Sequence, residues 1–315
     1  MKGYIGNQRW FIALLKVLAA LVLILLILSI VKTCSDCAPR GKKTVVIRRG
    51  GYDPRKEKLD SIPRENPPYN IDSLNRLDSL DSLPHRMLLE QYFPPIGNQG
   101  NQGTCVAWAT GYNMKTALNA IDNKWTKEQL EDPAYQTSPR DLWYGTQGHD
   151  NHNPYCNGGS DFYSACEALK SDGAATMKVV PYNDKQSCSG RNRGDAGNTI
   201  SSYTFVESPS VQTIKAYIRD TVPLLFAAKT GVAFQMWRGS GVFSSDYGIS
   251  GGHAMVLVGY DDSLHAFRIR NSWGTGWGDE GSAWVDYEFF LNDFERHGGV
   301  FVLRNGQSHP STVGQ

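Results

Sequence analysis

The residues best suited to chemistry fall in three separate runs of this 315-residue chain. In the first, residues 98–109, glycines make a turn, Thr104 is placed to cap a helix, and Cys105 falls in that helix's first turn. A thiol there sees unpaired backbone N–H groups and the positive end of the helix dipole. Both favour the thiolate, which is the nucleophilic form. In the second run, His253 follows Gly251 and Gly252 and leads into the apolar stretch 254–260. In the third, Asn271 ends the strand-like stretch 266–270 and opens a glycine-rich loop that carries Trp273 and Trp277. Each piece has a duller reading on its own. A lone cysteine is more often buried filler, a histidine before an apolar run is more often a satisfied core residue, and an asparagine after a strand starts a turn. The joint occurrence of all three in this order is what those readings leave unexplained.

The elements that must position these residues divide into a helical half and a strand-rich half. After Cys105, the residues Ala107, Trp108, Tyr112, Met114, Ala117 and Ile121 recur at helical spacing. Strand-like runs come later, at 223–228, 254–260, 266–270, 282–286 and 299–303, with 210–221 expected as an intervening helix. Helices first and strands later predict an α+β fold rather than alternating βαβ units. The domain is expected over 91–305, with 306–315 as a flexible tail.

Upstream, residues 17–31 form an apolar run broken only by Ser29, and 10–15 extend it across Lys16. Together they approach the roughly 20 residues that span a bilayer. Residues 1–33 are therefore expected to be an uncleaved membrane anchor. The alternative is a signal segment, although Val31, Lys32 and Thr33 lack the small side chains of a cleavage site. Lys2, Arg9 and Lys16 precede the run, whereas Lys32, Arg40, Lys42, Lys43, Arg48 and Arg49 come after it. Read literally, the positive-inside rule keeps the downstream domain in the cytoplasm. Residues 34–90 read as an extended tether, because Pro54, Pro63, Pro67 and Pro68 interrupt any helix. On that reading the protein is made without a conventional zymogen.

Composition excludes more than it assigns. A formal net charge of +1, with no basic stripe interleaved with aromatics, gives no reason to expect a nucleic acid partner. Six cysteines are too few for a disulfide scaffold in a chain this long. His149, His152 and Cys156 offer only three local candidate ligands in a polar loop, so neither a metal nor another cofactor is expected.

Over most of 91–305 the sequence resembles the papain-like cysteine peptidases. The segment from Gln99 to Cys105 is similar to that family's nucleophile motif, and His253 with its following strand to the family histidine. Residues 271–278 match the asparagine loop almost letter for letter, 156–159 resemble the substrate-cleft loop, and 234–239 resemble a segment of the β subdomain. The resemblance implies a helical subdomain and a β-barrel-like subdomain with the active-site cleft between them. It also implies roles. Cys105 attacks a peptide carbonyl as thiolate, His253 is its acid/base partner, and Asn271 orients the imidazole under the shield of Trp273. Gln99 and the Cys105 N–H would form the oxyanion hole. Gly158 and Gly159 would present backbone to an extended peptide or protein substrate, and Ser160, Ala227 and Ala254 fall near the specificity pocket.

Family grounds also place the domain outside the cytoplasm, against the charge count above. The chain departs from the family where Gln102 replaces a cysteine that many relatives bridge to the position of Cys156. Cys188 likewise has no mate within 142–145. Either Cys156 or Cys166 pairs with Cys188, or all three are thiols, and the lost bridges fit a reducing compartment or a bacterial branch. The competing reading is a non-catalytic papain-like peptide-binding or scaffold protein at the membrane. Retention of Cys105, His253, Asn271 and Gln99 argues against it.

Overall fold

The computed structural model describes residues 51–65, 83–146, 158–185, 197–248, 251–295 and 297–306. The apolar run near the N-terminus, His149, His152, Cys34, Cys37, Cys156 and Cys188 lie outside these residues. Among the described residues, no helix is long and apolar enough to cross a membrane.

Helices dominate the first half. Helix α1 (Cys105–Ala107) widens into a π-helix (Trp108–Lys115) and resumes as α2 (Thr116–Asn123). Then come α3 (Lys127–Glu131), α4 (Pro139–Thr146) and α5 (Phe162–Ser171). The second half adds α6 (Val211–Arg219), α7 (Val232–Met236) and α8 (Tyr287–Phe289) between strands. Those strands are β1 (Arg86–Leu88), β2 (Ser202–Glu207), β3 (Leu224–Thr230), β4 (Val242–Phe243), β5 (Gly251–Asp261), β6 (Ala266–Arg270), β7 (Ser282–Asp286) and β8 (Gly299–Arg304). They form one sheet in the order β2-β8-β3-β5-β6-β7-β4, with β1 paired to β5. All pairings are antiparallel except β4 with β7. The architecture is the expected α+β fold of helical and β-rich parts.

Two elements position the chemistry. Strand β5 is buried along nearly its whole length, as expected of a central strand covered on both faces. The helix that begins at Cys105 is also buried on all sides through Leu118 and packs against β5, α4 and α5. Among its buried polar side chains, Asn113 is partnered by Arg270 and Lys115 by Asn119 and Asn305, so the helix can sit inside the protein with its first residue against the sheet.

The structure revises three readings of the sequence. Thr104 occupies the N-cap position but its side chain makes no cap bond; its hydroxyl bonds the Tyr182 hydroxyl at 2.8 Å instead. The folded unit starts before residue 91, because β1 pairs Met87 with Tyr260 on β5. Residues 51–65, assigned to a tether, pack into the domain. Ile62 is buried, and the Glu65 carboxylate accepts two hydrogen bonds from Arg304 (2.7 and 2.6 Å) and one from Tyr217 (2.9 Å). Prolines stop a helix, but they do not stop an extended chain from pairing with existing strand ends, and such docking needs no periodic pattern. Cys166 is a buried free thiol within α5, which removes it from the bridging alternatives.

Candidate active site

The start of α1 meets the start of β5. The backbone N–H groups of Ala254 on β5, of Gly51 and of Val106 in the helix's own first turn lie close enough to the Cys105 sulfur to favour its thiolate. His253 immediately precedes Ala254 and so enters the site from the sheet side. Its Nε2 lies 2.7 Å from the side-chain oxygen of Asn271, the residue just after β6. That same oxygen accepts the Ser272 backbone N–H at 2.7 Å. A backbone N–H can only donate, so the atom it meets must be the amide oxygen, and His253 must carry its proton on Nε2. In the neutral ring Nδ1 is then the nitrogen without a proton. Trp273 stacks on the imidazole with centroids 4.3 Å apart and planes 27° from parallel.

Gln99 is clamped on both ends of its amide. Its Nε2 donates to the Gln102 carbonyl (2.9 Å), and its oxygen accepts the Ser272 hydroxyl (2.7 Å). An amide NH2 has two donors, so one remains for an oxyanion. Ser272 thereby ties the Gln99 turn to the Asn271 loop, and sequence reasoning missed it.

The opposing wall carries residues 158–160, and a strand of the protein's own chain lies between the two walls. Gly51 and Asp53 bracket Ser160, which donates its N–H to the Gly51 carbonyl (2.8 Å) and accepts the Asp53 N–H (2.9 Å). Tyr52 donates its N–H to the Gly252 carbonyl (3.3 Å) across the cleft. Lys56 reaches the carbonyls of Gly158 and Gly159, each at 3.2 Å. Glu57 accepts the N–H groups of Phe162 and Tyr163 at the start of α5, both at 2.9 Å, and the Tyr52 hydroxyl at 2.8 Å. Unpaired N–H groups at a helix start are a natural anchor for a carboxylate.

The covering strand alters the electrostatics expected from sequence. Cys105 is fully buried, and burial outweighs the N–H donors and pushes its thiol up to about 11. The covered state thus holds the sulfur's proton more tightly than an exposed thiol does. Covering is favoured in full below the ordinary thiol pKa, and that contribution fades as pH rises through about 11. Alkylation of Cys105 by iodoacetamide in the intact chain is therefore expected to be slow at pH 7 and to rise steeply only above about pH 9. A plateau already reached by neutral pH would show that the thiol is not covered.

The structure gathers Cys105, His253, Asn271, Gln99 and Trp273 at one junction, with Gly158, Gly159 and Ser160 facing them. The backbone ladder in the cleft is made by Ser160 rather than by the two glycines. Ala254 pairs with Ala227 on β3, and both are buried. Beyond Ser272, the sequence reading missed Gly51, Tyr52, Lys56, Glu57 and His297. The one local signal was an aromatic residue directly after Gly50 and Gly51, in a stretch otherwise rich in charge and proline.

The site joins a thiol at a buried helix start to an imidazole that an amide steers from the sheet, within a fold of helical and β-rich parts. Comparison with known proteins narrows this. The Papain family cysteine protease model matches residues 82–289, about two-thirds of the sequence, and the chain belongs to that family. It is 29% identical over 189 residues to cysteine proteinase COT44 of Brassica napus, covering 59% of this chain and 54% of that protein. Papain of Carica papaya is 26% identical over 191 residues, with 59% and 50% covered. The chain spans about half the length of these curated relatives. Among solved structures, xylellain, a cysteine protease from Xylella fastidiosa, aligns with TM-score 0.66 at 22% identity, over 83% of this chain and 97% of its own. Procathepsin L 3 from the Tenebrio molitor larval midgut aligns with TM-score 0.59 at 16% identity, over 82% and 76%.

Proposed function

We propose that this protein is a cysteine-type endopeptidase, held latent by residues 51–65, that hydrolyses peptide bonds through a thiolate–imidazolium pair and an acyl-enzyme. The carrying observation is the shared Asn271 oxygen, which fixes both the tautomer and the plane of His253 beside the strand residue whose N–H meets the sulfur. Once the covering strand withdraws, Cys105 passes its proton to His253 and attacks the carbonyl carbon of a bound peptide. The oxyanion is received by the Cys105 N–H and the uncommitted Nε2 donor of Gln99. His253 then gives its proton to the leaving amine, takes one from water, and lets hydroxide release the acyl group from sulfur.

Selective labelling of Cys105 by a peptidyl thiol electrophile at neutral pH, in chain whose cleft strand has been displaced, tests this reading. Labelling should be lost in His253→Ala. Labelling that survives His253→Ala, with no hydrolysis of any peptide, would favour the peptide-binding or scaffold reading. Gln99→Ala should lower kcat by about 10² to 10³ with little change in KM, the size of effect seen when one oxyanion donor is removed. Equal losses in kcat and affinity would remove Gln99 from that role.

The same proposal places the peptidase domain at a membrane, tethered through the apolar residues 10–31 and facing away from the cytoplasm. The length of that run supports the anchor. The extracytoplasmic side rests on family resemblance alone and runs against the basic residues on the C-terminal side of the run. Retention of full-length protein in the pellet after alkaline carbonate, with the domain digested by protease added to intact cells, is the expected result. Digestion only after lysis would reverse the orientation.

A further inference from the structure

The cleft strand also shows what one pocket of the site accepts. Tyr52 is only 4% exposed, so the pocket encloses its ring. The ring centroid lies 5.4 Å from that of Phe162 and 5.3 Å from the imidazole of His297, which meets it edge-on. The hydroxyl bonds both Glu57 and Nε2 of His297. Gly252 forms a further wall. A Cβ there would stand 2.8 Å from the Tyr52 carbonyl oxygen and 3.0 Å from the ring edge, so only glycine leaves room for this backbone and ring. His297 is itself held in place, because the Glu295 carboxylate accepts the N–H groups of His297 (2.7 Å) and Gly299 (2.9 Å) around the turn that leads into β8.

Glu57 lies one turn beyond Tyr52 on the same covering segment and departs with it. The ring-sized slot between Phe162 and Gly252 remains, and His297 remains as a fixed partner for a hydroxyl at its end. We infer that this pocket selects a tyrosyl side chain in the peptide substrate, with His297 as the specificity-determining residue that separates tyrosine from phenylalanine. The inference rests on the peptidase reading for its substrate class. The Gly51 N–H sits at the sulfur and the Tyr52 N–H at Gly252, so the pocket takes the side chain next to the one facing Cys105.

The test uses full-length chain carrying Gly51→Leu, a change expected to open the cleft because a Cβ there would overlap the Gly103 carbonyl, and peptides that differ only by Tyr, Phe or O-methyltyrosine at each position in turn. At one position, kcat/KM for Tyr should exceed that for Phe by about tenfold, the scale of one buried hydrogen bond. O-Methyltyrosine should fall at or below Phe, because it has lost the donor and gained bulk. His297→Leu should bring the Tyr/Phe ratio close to one. The same ratios are read as Kd in chain carrying Cys105→Ala with Gly51→Leu, which needs no turnover. Tyr preference in binding without hydrolysis in the Cys105-containing chain would overturn the peptidase reading and keep the pocket. Equal binding of Tyr and Phe at every position, or a Tyr preference that survives His297→Leu, would overturn the pocket.

Discussion

Replacing Gly51 by leucine in the intact chain raises alkylation of Cys105 at neutral pH, and hydrolysis of a general peptide substrate, by about a hundredfold. Gly51 passes directly over the nucleophile turn. A Cβ at that position would overlap the carbonyl carbon and oxygen of Gly103, backbone atoms that cannot swing aside as a side chain can. Forcing extra atoms into a packed contact costs about 1–3 kcal/mol, and the upper end of that range is about two orders of magnitude in the population of the uncovered state. The strand is held beside this point by Tyr52, Lys56 and Glu57, and the change works against those anchors. Tyr52→Ala reaches the same end by a different route, because removing a buried aromatic ring costs about 3–5 kcal/mol of packing that the docked strand alone enjoys. Mass-spectrometric labelling of Cys105, with the thermal transition followed in parallel, reads both. Unchanged labelling in both variants, with an unchanged transition, would mean that the strand does not guard the thiol.

On that opened background, Cys105→Ser is expected to lower kcat/KM by about 10⁴-fold or more, whereas Asn271→Ala costs about tenfold to a hundredfold. The two differ because they act on different links of the same chain. The sulfur forms and breaks the bond to the acyl group, and a serine hydroxyl beside an imidazole suited to a thiol does not replace it. In the proposed mechanism Asn271 acts through the imidazole and not on the substrate. Its oxygen sets the His253 ring, and a ring misplaced by about 1 Å is enough to lose about two orders of magnitude. Trp273 still stacks on the ring in Asn271→Ala and limits the disorder. Steady-state kinetics on a fluorogenic peptide separate the outcomes. If Asn271→Ala proved as damaging as Cys105→Ser, Asn271 would be doing more than orienting. Full turnover by Cys105→Ser would end the proposed mechanism.

Much of this was legible in the linear order of residues. The helix after Cys105 and the strands β3, β5, β6, β7 and β8 were visible because buried strands and helices leave their period or their apolar run in the sequence. The nucleophile, the histidine and the asparagine were visible because each sits at the end of such an element, with glycines close by. Strand β2 was not, and neither were the short strands β1 and β4. The latter two carry few residues, and their partners were formed elsewhere in the chain.

Residue order by itself pointed to the class of chemistry: a thiol at a helix start, an imidazole and an amide at strand ends, and a glutamine six residues before the thiol. Only tertiary structure decided the state in which that chemistry is held. An extended strand binds through its backbone and a few side chains, and backbone hydrogen-bonding capacity is the same for almost every sequence. Residues 51–57 therefore looked like a linker until the two walls they bridge were seen together. The same holds for His297, a residue without a motif, whose place at the end of the Tyr52 ring is fixed by a carboxylate two positions away and by a strand from the far end of the chain.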